Sequence, residues 1–301
     1  MLYDCVIIGG GPAGLNAALV LGRAKRTVAL FDHNQPRNRV THASHGFLTR
    51  DGITPSEFRR IAYDEVLRYP SVQHWQDEVT DIRKQEKGFE ILTKNGEHVK
   101  TRKLILSSGL REILPDIEGI HNFYGKSLFN CPYCDGWELR DQPLVVVGDK
   151  PGAFHKIKLL YSWSRDLIVC TNGHAALTHE QKELLEHKGI QVIETPIRAF
   201  RGENGMLNQV QFMDGSHIER SGGFIMPEWH LNDLFSKELG YDTAAFGAIA
   251  VDIQGRSTVP GFYAAGDAAY VGPSQVVFAA ASGSKTAMTV NMDLVEEEFN
   301  L

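Results

Sequence analysis

The chain has 301 residues, about twice the ~150 of a typical domain, so two domains are expected. Hydrophobic residues make up 43% and charged residues 23%, which excludes a disordered or fibrous chain. Net charge is −6 and no polybasic run occurs, so nucleic acid is not an expected partner. Glycine is in excess, 29 residues or roughly one in ten against ~7% in average proteins, and without a collagen period. Such glycines mark tight turns or places where backbone approaches a ligand.

In chain order, Tyr3–Ile8 is a short β-branched apolar run, predicted as a strand buried on both faces. Gly9-Gly10-Gly11-Pro12-Ala13-Gly14 follows, then a predicted helix from Pro12 to about Ala24 and a strand Thr27–Phe31 closed by Asp32. In this βαβ unit Gly9 permits the tight turn, Gly11 lets backbone approach a pyrophosphate, and Gly14 allows close helix–strand packing. The helix N–H groups would bind the phosphates and Asp32 a ribose hydroxyl, so the unit reads as a dinucleotide site. A second strand, turn and helix begin at Pro143, with Leu144–Val147, a helical stretch over 149–164 and the strand Asp166–Cys170. Near the end, Val259–Asp267 is followed by a predicted apolar helix from about Ser274 to Leu294. The fold class expected is α/β, with two Rossmann-like domains, the second inserted into the first. The expected boundaries are 1–114 with 246–301 for the outer domain and 115–245 for the inserted one.

The uncharged runs Cys5–Gly22 and Ala268–Ser284 are both broken by glycines, and Asp4 precedes the first where a signal peptide carries positive charge. No membrane span is predicted, and the expected location is the cytoplasm. Four cysteines, Cys5, Cys131, Cys134 and Cys170, are too few for a disulfide scaffold. Cys131-Pro132-Tyr133-Cys134-Asp135-Gly136 holds a C-x-x-C pair, whose sulfurs can meet within one turn. A dithiol/disulfide exchanging with a thiol substrate accounts for this spacing, with Asp135 as acid or base. Zinc would need two further ligands, and no second C-x-x-C or H-x-x-x-H pair supplies them. Two buried free cysteines are the remaining alternative. No metal is expected.

These three motifs, GGGPAG, CPYCDG and GFYAAGD at Gly261–Asp267, occur in the order found in low-molecular-weight thioredoxin reductases, which the chain resembles over essentially its whole length. The resemblance implies that the dinucleotide is FAD, that the FAD domain is split between the two ends, and that the enzyme is a homodimer. It implies flavin contacts from Gly9, Gly11, Pro12, Ala13, Gly14, Asp32, Gly109, Gly261, Gly266 and Asp267, with Gln275, Val276 and Val277 facing the isoalloxazine. Cys134 would contact the flavin, Cys131 would exchange with substrate and Asp135 would move the proton.

One part of the family pattern is altered. Where the family's NADPH domain carries Gly-x-Gly-x-x-Ala, this chain has Gly148, Lys150 and Ala153, and Cys170-Thr171-Asn172-Gly173 replaces the basic cluster that holds a 2′-phosphate. NADPH use is therefore not the leading expectation. Arg37–Gly52 and Cys131–Pro143 are similar instead to the thioredoxin-reductase-like dithiol oxidases of gliotoxin and holomycin type. That resemblance implies a dithiol substrate as electron donor and O₂ as acceptor. The alternatives are an NAD(P)H- or ferredoxin-dependent reductase of thioredoxin or another disulfide, and a flavin-binding redox sensor. His42 and His45 read as loop histidines or as aids to proton transfer. The acidic run Glu296–Glu298 reads as a solvated helix end.

Overall fold

The first apolar run forms the predicted strand, β1 (Leu2–Ile8), and Pro12 opens the helix α1 (Pro12–Arg23) behind an N-cap at Gly11. There follow β2 (Val28–Phe31), α2 (Pro55–Val66), β3 (Val72–Trp75), β4 (Val79–Lys84), β5 (Phe89–Thr93) and β6 (His98–Leu106). The computed structural model describes residues 1–231, 235–270, 272 and 274–300. Two compact units result: Met1–Arg39, Gly46–Arg111 and Trp229–Leu301 in one, Val40–His45 and Glu112–Glu228 in the other.

In the first unit the strand order is β3-β2-β1-β6-β5-β4. β1, β2, β3 and the first-paired edge of β6 run parallel, while β4, β5 and β6 form an antiparallel meander. The strand Phe262–Ala264 pairs with Leu104–Leu106, the end of β6 beyond its pairing with β5, and runs parallel to it. Gly9–Gly14 after β1, Gly109 after β6 and Gly266 after Phe262–Ala264 thus follow parallel strands at one carboxyl edge, where α/β sheets bind ligands. Alternate residues face opposite sides: Val6, Ile8, Ala29 and Phe31 join one apolar core, Cys5, Ile7, Val28 and Leu30 the other. α1 lies against the long C-terminal helix Val276–Phe299, and only small residues let them meet. A Cβ on Gly283 would fall 1.9 Å from the Ala13 carbonyl oxygen.

The second unit holds a five-stranded parallel sheet in the order Gln191–Ile193, Leu167–Cys170, Leu144–Val147, Gly222–Phe224, Leu128–Phe129. Its strands are apolar on both faces, feeding two cores as a covered parallel sheet requires. A three-stranded antiparallel meander, Ile197–Glu203, Met206–Phe212 and His217–Glu219, completes the unit. The chain rejoins the first unit at Trp229, ahead of the boundary near 245 expected from sequence. The reason lies in packing: Phe235, Leu239 and Tyr241 are buried in the first unit's core with Ile249 and Phe262.

The acidic C-terminal run is not merely solvated. Glu298 pairs with Arg26 at 2.7 Å and with Arg102 at 2.6 Å, and Glu297 with Arg102 at 3.2 Å. Glu297 also binds the ammonium of Lys103, whose side chain is only 8% exposed. Removing that carboxylate leaves a buried cation short of its partner, so Glu297→Ala is expected to cost about 1–2 kcal/mol, discounted for the exposure of Glu297 itself. A urea midpoint unchanged from wild type would contradict this.

Candidate active site

At the carboxyl edge of the first unit the glycines have separate tasks. Gly9 has φ 108°, and a Cβ there would lie 2.4 Å from the Ser107 carbonyl oxygen. Gly14 is packed as tightly, its Cβ position 1.9 Å from the Gly9 carbonyl oxygen. Gly11 is different: a Cβ would meet nothing within 4 Å, so its backbone faces open space just before α1. That is the place where a pyrophosphate meets helix N–H groups.

Asp32 follows β2 and is 7% exposed. Its Oδ2 accepts from Arg59 Nη2 at 2.5 Å and from Tyr63 Oη at 2.8 Å, while Arg59 Nη1 donates to the Gly10 carbonyl at 2.6 Å. Burial alone would raise the Asp32 carboxyl, but Arg59 and Tyr63 outweigh it and hold the group below the ordinary carboxylate range. Arg59 and Tyr63 carry no motif. Their one sequence signal is the i,i+4 spacing on α2, too common a spacing to single them out.

The C-terminal motif reaches the same edge. Ala265 N donates to the Leu106 carbonyl at 3.0 Å, and a Cβ on Gly266 would lie 2.9 Å from Ala13 Cβ. Asp267 is bound by Arg37 at 3.1 Å. Gly261 and Gly109 both have positive φ, 79° and 68°. Gln275 caps the C-terminal helix, with Val276 and Val277 in its first turn. Three buried polar atoms, Ser108 Oγ after β6 and His74 Nε2 and Trp75 Nε1 at the end of β3, have no hydrogen-bond partner among the described residues. Such groups need a partner, and an extended polar ligand supplies one. The glycines, the open face at Gly11 and these unpartnered polar atoms fit a dinucleotide.

The cysteine pair belongs to the second unit. Cys131 and Cys134 are joined as a disulfide, with Cα atoms 5.3 Å apart. Cys131 caps the one-turn helix Pro132–Asp135, which brings the two sulfurs together. Gly136 closes this turn against Trp163, where a Cβ would meet the indole at 2.9 Å. Tyr133 packs edge-on to Trp163 at 5.4 Å yet stays exposed, as does Trp137 beneath the Arg140 guanidinium. Burial pushes the Asp135 carboxyl up to about 7, with Glu138 adding to the shift and His45 opposing it. His45 Nε2 lies 3.5 Å from Glu138 Oε1, so of the two histidines singled out in sequence it is His45 that joins this charge cluster. Cys5 and Cys170 are free and buried, and burial pushes the Cys170 thiol up to about 12. Neither is a nucleophile at neutral pH.

The second nucleotide-type turn departs from the first in geometry as well as in residues. In the first unit three residues separate strand from helix; in the second, the strand ends at Val147 and the helix Ala153–Leu160 starts behind an N-cap at Gly152. Aligned on Gly148 and Gly9, this helix begins two residues later than α1 does. Lys150 stands in the turn with its ammonium 3.2 Å from Glu228 Oε1.

The chain matches the model of the pyridine nucleotide-disulphide oxidoreductases over residues 3–283. It is 31% identical to thioredoxin reductase aclD of Aspergillus oryzae, covering 88% of each chain. Among solved structures it is similar to TrxB of Bacillus anthracis, with 45% identity, a TM-score of 0.95 and coverage of 98% and 99%. It is similar also to HlmI, with 37% identity, a TM-score of 0.93 and coverage of 99% and 94%. With a buried glycine cradle on one unit and a paired C-x-x-C beside a carboxyl on the other, the chain belongs to the pyridine nucleotide-disulphide oxidoreductase family, as a thioredoxin-reductase-like flavoprotein acting on sulfur groups.

Proposed function

We propose that the chain is an FAD-dependent dithiol oxidase that works without a pyridine nucleotide. One observation carries the second half of this reading: the late-starting helix at Gly152, with Lys150 in the turn and paired to Glu228. A phosphate-binding turn needs helix N–H groups immediately after the strand and no side chain at its second glycine. Both conditions hold at Gly9–Gly14 and both fail at Gly148–Ala153.

In this reading residues 1–111 and 229–301, apart from the 40–45 segment, form the flavin domain. Gly9, Gly11, Pro12, Ala13, Gly14, Gly109, Gly266 and Asp267 hold FAD, Asp32 takes the adenosine ribose, and Gln275, Val276 and Val277 lie by the isoalloxazine. When bound, FAD supplies the two-electron acceptor for the dithiol and the reactivity toward O₂. A thiolate of the substrate attacks Cys131 Sγ, the Cys131–Cys134 bond breaks, and its electron pair leaves on Cys134. The second substrate thiol then displaces Cys131, closing the product disulfide. Asp135, poised near neutrality, accepts a proton released in these exchanges. The sum balances: one dithiol and one O₂ give one disulfide and one H₂O₂.

Oxygen uptake tests this reading. Dithiothreitol alone is expected to drive uptake with one H₂O₂ per disulfide, and added NADPH is expected to leave the rate unchanged. Uptake or thioredoxin reduction that appears only with NAD(P)H or reduced ferredoxin would establish the reductase instead. A dithiol that reduces the protein without turnover would establish a redox sensor.

The proposed homodimer has its own support. Met288, Met292, Val295 and Phe299 lie along one face of the C-terminal helix and are exposed. A second copy of this helix would cover them, and Met292→Glu is expected to convert a dimer to a monomer in light scattering.

A further inference from the structure

The sulfur that meets substrate sits next to a polar cluster with no part in the chemistry described so far. Asn130, the residue before Cys131, donates from Nδ2 to Glu112 Oε1 at 2.5 Å. Tyr124 Oη donates to the other oxygen of the same carboxylate at 2.6 Å. Glu112 is thus held at both oxygens, by two residues on opposite sides of the strand Leu128–Phe129 in the chain. These are charge-assisted bonds, about twice as strong as neutral ones and directional.

The strand register brings a cation to the same place. Ile225 N donates to the Phe129 carbonyl at 2.8 Å. In a parallel ladder the next bond would run from Cys131 N to the Ile225 carbonyl. The Lys156 ammonium binds that carbonyl, at 3.0 Å. Burial pulls the Lys156 amine down to about 8, with Glu112 acting in the opposite direction. Glu112 and Lys156 therefore flank the end of the ladder, one by its hold on Asn130 and one at the carbonyl beside Cys131.

We infer that Glu112, acting through Asn130, is a positioning residue for Cys131, holding its sulfur in line for exchange. To open the disulfide, a substrate thiolate must meet Cys131 Sγ in line with its bond to Cys134. After that first exchange Cys131 must also stay in place, with substrate attached, for the second thiol to displace it. A misplacement of the order of 1 Å at either step costs up to about 100-fold in rate. The bond from Asn130 to Glu112 resists such a shift, because Glu112 is itself fixed by Tyr124.

This rests on the reading of Cys131 as the substrate-facing sulfur, and the test separates the two. The full-length protein is mixed anaerobically with dithiothreitol, and portions are taken at set times into excess iodoacetamide at alkaline pH for mass mapping of Cys131 and Cys134. Asn130→Ala and Glu112→Ala are expected to open the disulfide roughly 10- to 100-fold more slowly than wild type. Glu112→Gln is expected to stay within about threefold, because its amide oxygen still accepts from Asn130 and its NH₂ donates to Tyr124 Oη. A merely structural loss would not be rescued by that variant, nor would an effect of the charge. Opening of the Asn130→Ala protein at the wild-type rate, or a Glu112→Gln protein as slow as Glu112→Ala, would overturn the assignment. A wild-type disulfide that dithiothreitol never opens would remove the reading of the cysteine pair itself, and the assignment with it.

Discussion

Cys134→Ser is expected to give a yellow protein that dithiothreitol no longer bleaches. The FAD-holding residues proposed here all lie in the first unit, while Cys134 lies in the second, so flavin content should match wild type. Serine cannot form the disulfide with Cys131, and its hydroxyl remains protonated where a thiol ionises. The remaining Cys131 is a lone thiol: it offers a dithiol no disulfide to attack and has no partner sulfur through which to pass two electrons. The loss should be at least about a thousandfold in the bleaching rate, the scale set by removing an activated nucleophile. Absorbance near the flavin maximum, followed anaerobically after mixing, measures it directly. Bleaching retained within a few-fold of wild type would remove the proposed electron path.

Asp135→Asn is expected to slow dithiol oxidation by about 100-fold, the usual worth of a positioned acid–base group. It should also abolish a pH dependence. Burial pushes this carboxyl from 3.8 up to about 7, so below that pH it is protonated and cannot accept the proton of a substrate thiol. The wild-type rate of flavin reduction by dithiol should therefore show a rise with pH centred near 7, in addition to the ionisation of the substrate thiol that both proteins share. The asparagine variant should show only the ionisation of the substrate thiol itself. Stability follows the same sign. A carboxyl whose folded pKa is raised loses its contribution as pH rises from 3.8 through about 7. Asp135→Asn should then gain thermal stability relative to wild type at pH 8 and show no such gain at pH 4. A wild-type profile flat between pH 6 and 8 would contradict the assignment of Asp135 as the base.

The fold was largely legible because its strongest signals are local. β-branched runs of a few residues, glycine turns at fixed offsets and a proline at the first helical position each dictate backbone without reference to distant residues. Hence β1, α1 and β2 stand within a residue or two of their predicted ends, as do Leu144–Val147 and Leu167–Cys170. The C-terminal helix runs on to Phe299, past its predicted end at Leu294, and its acidic last turn is fixed by Arg26, Arg102 and Lys103, which are far away in sequence. The point where the chain returns to the first unit escaped for a similar reason. Phe235, Leu239 and Tyr241 bury their rings and side chains in a core built from β1, β5 and β6, a choice made by tertiary packing.

The site divides along the same line. The glycines and the cysteine pair are read from spacing, since the turn and the sulfur–sulfur bond demand those residues. Arg59, Tyr63, Glu112 and Asn130 could not be read that way. Their importance comes from what they touch across 27, 31 and 18 residues of chain, and polar side chains of these types are common on any surface. Lys150 was visible as a departure from a pattern, but the two-residue delay of the helix behind it, and its pairing with Glu228, were not.

The measurement that bears most directly on the central claim is an anaerobic comparison of two reductants on the same flavoprotein. Stoichiometric NADPH is added first and the flavin absorbance followed, then dithiothreitol, then air. The proposed nucleotide-independent oxidase predicts no bleaching with NADPH, full bleaching with the dithiol, and rapid recovery of colour with H₂O₂ on admitting O₂. Bleaching by NADPH at the rate of turnover would contradict it.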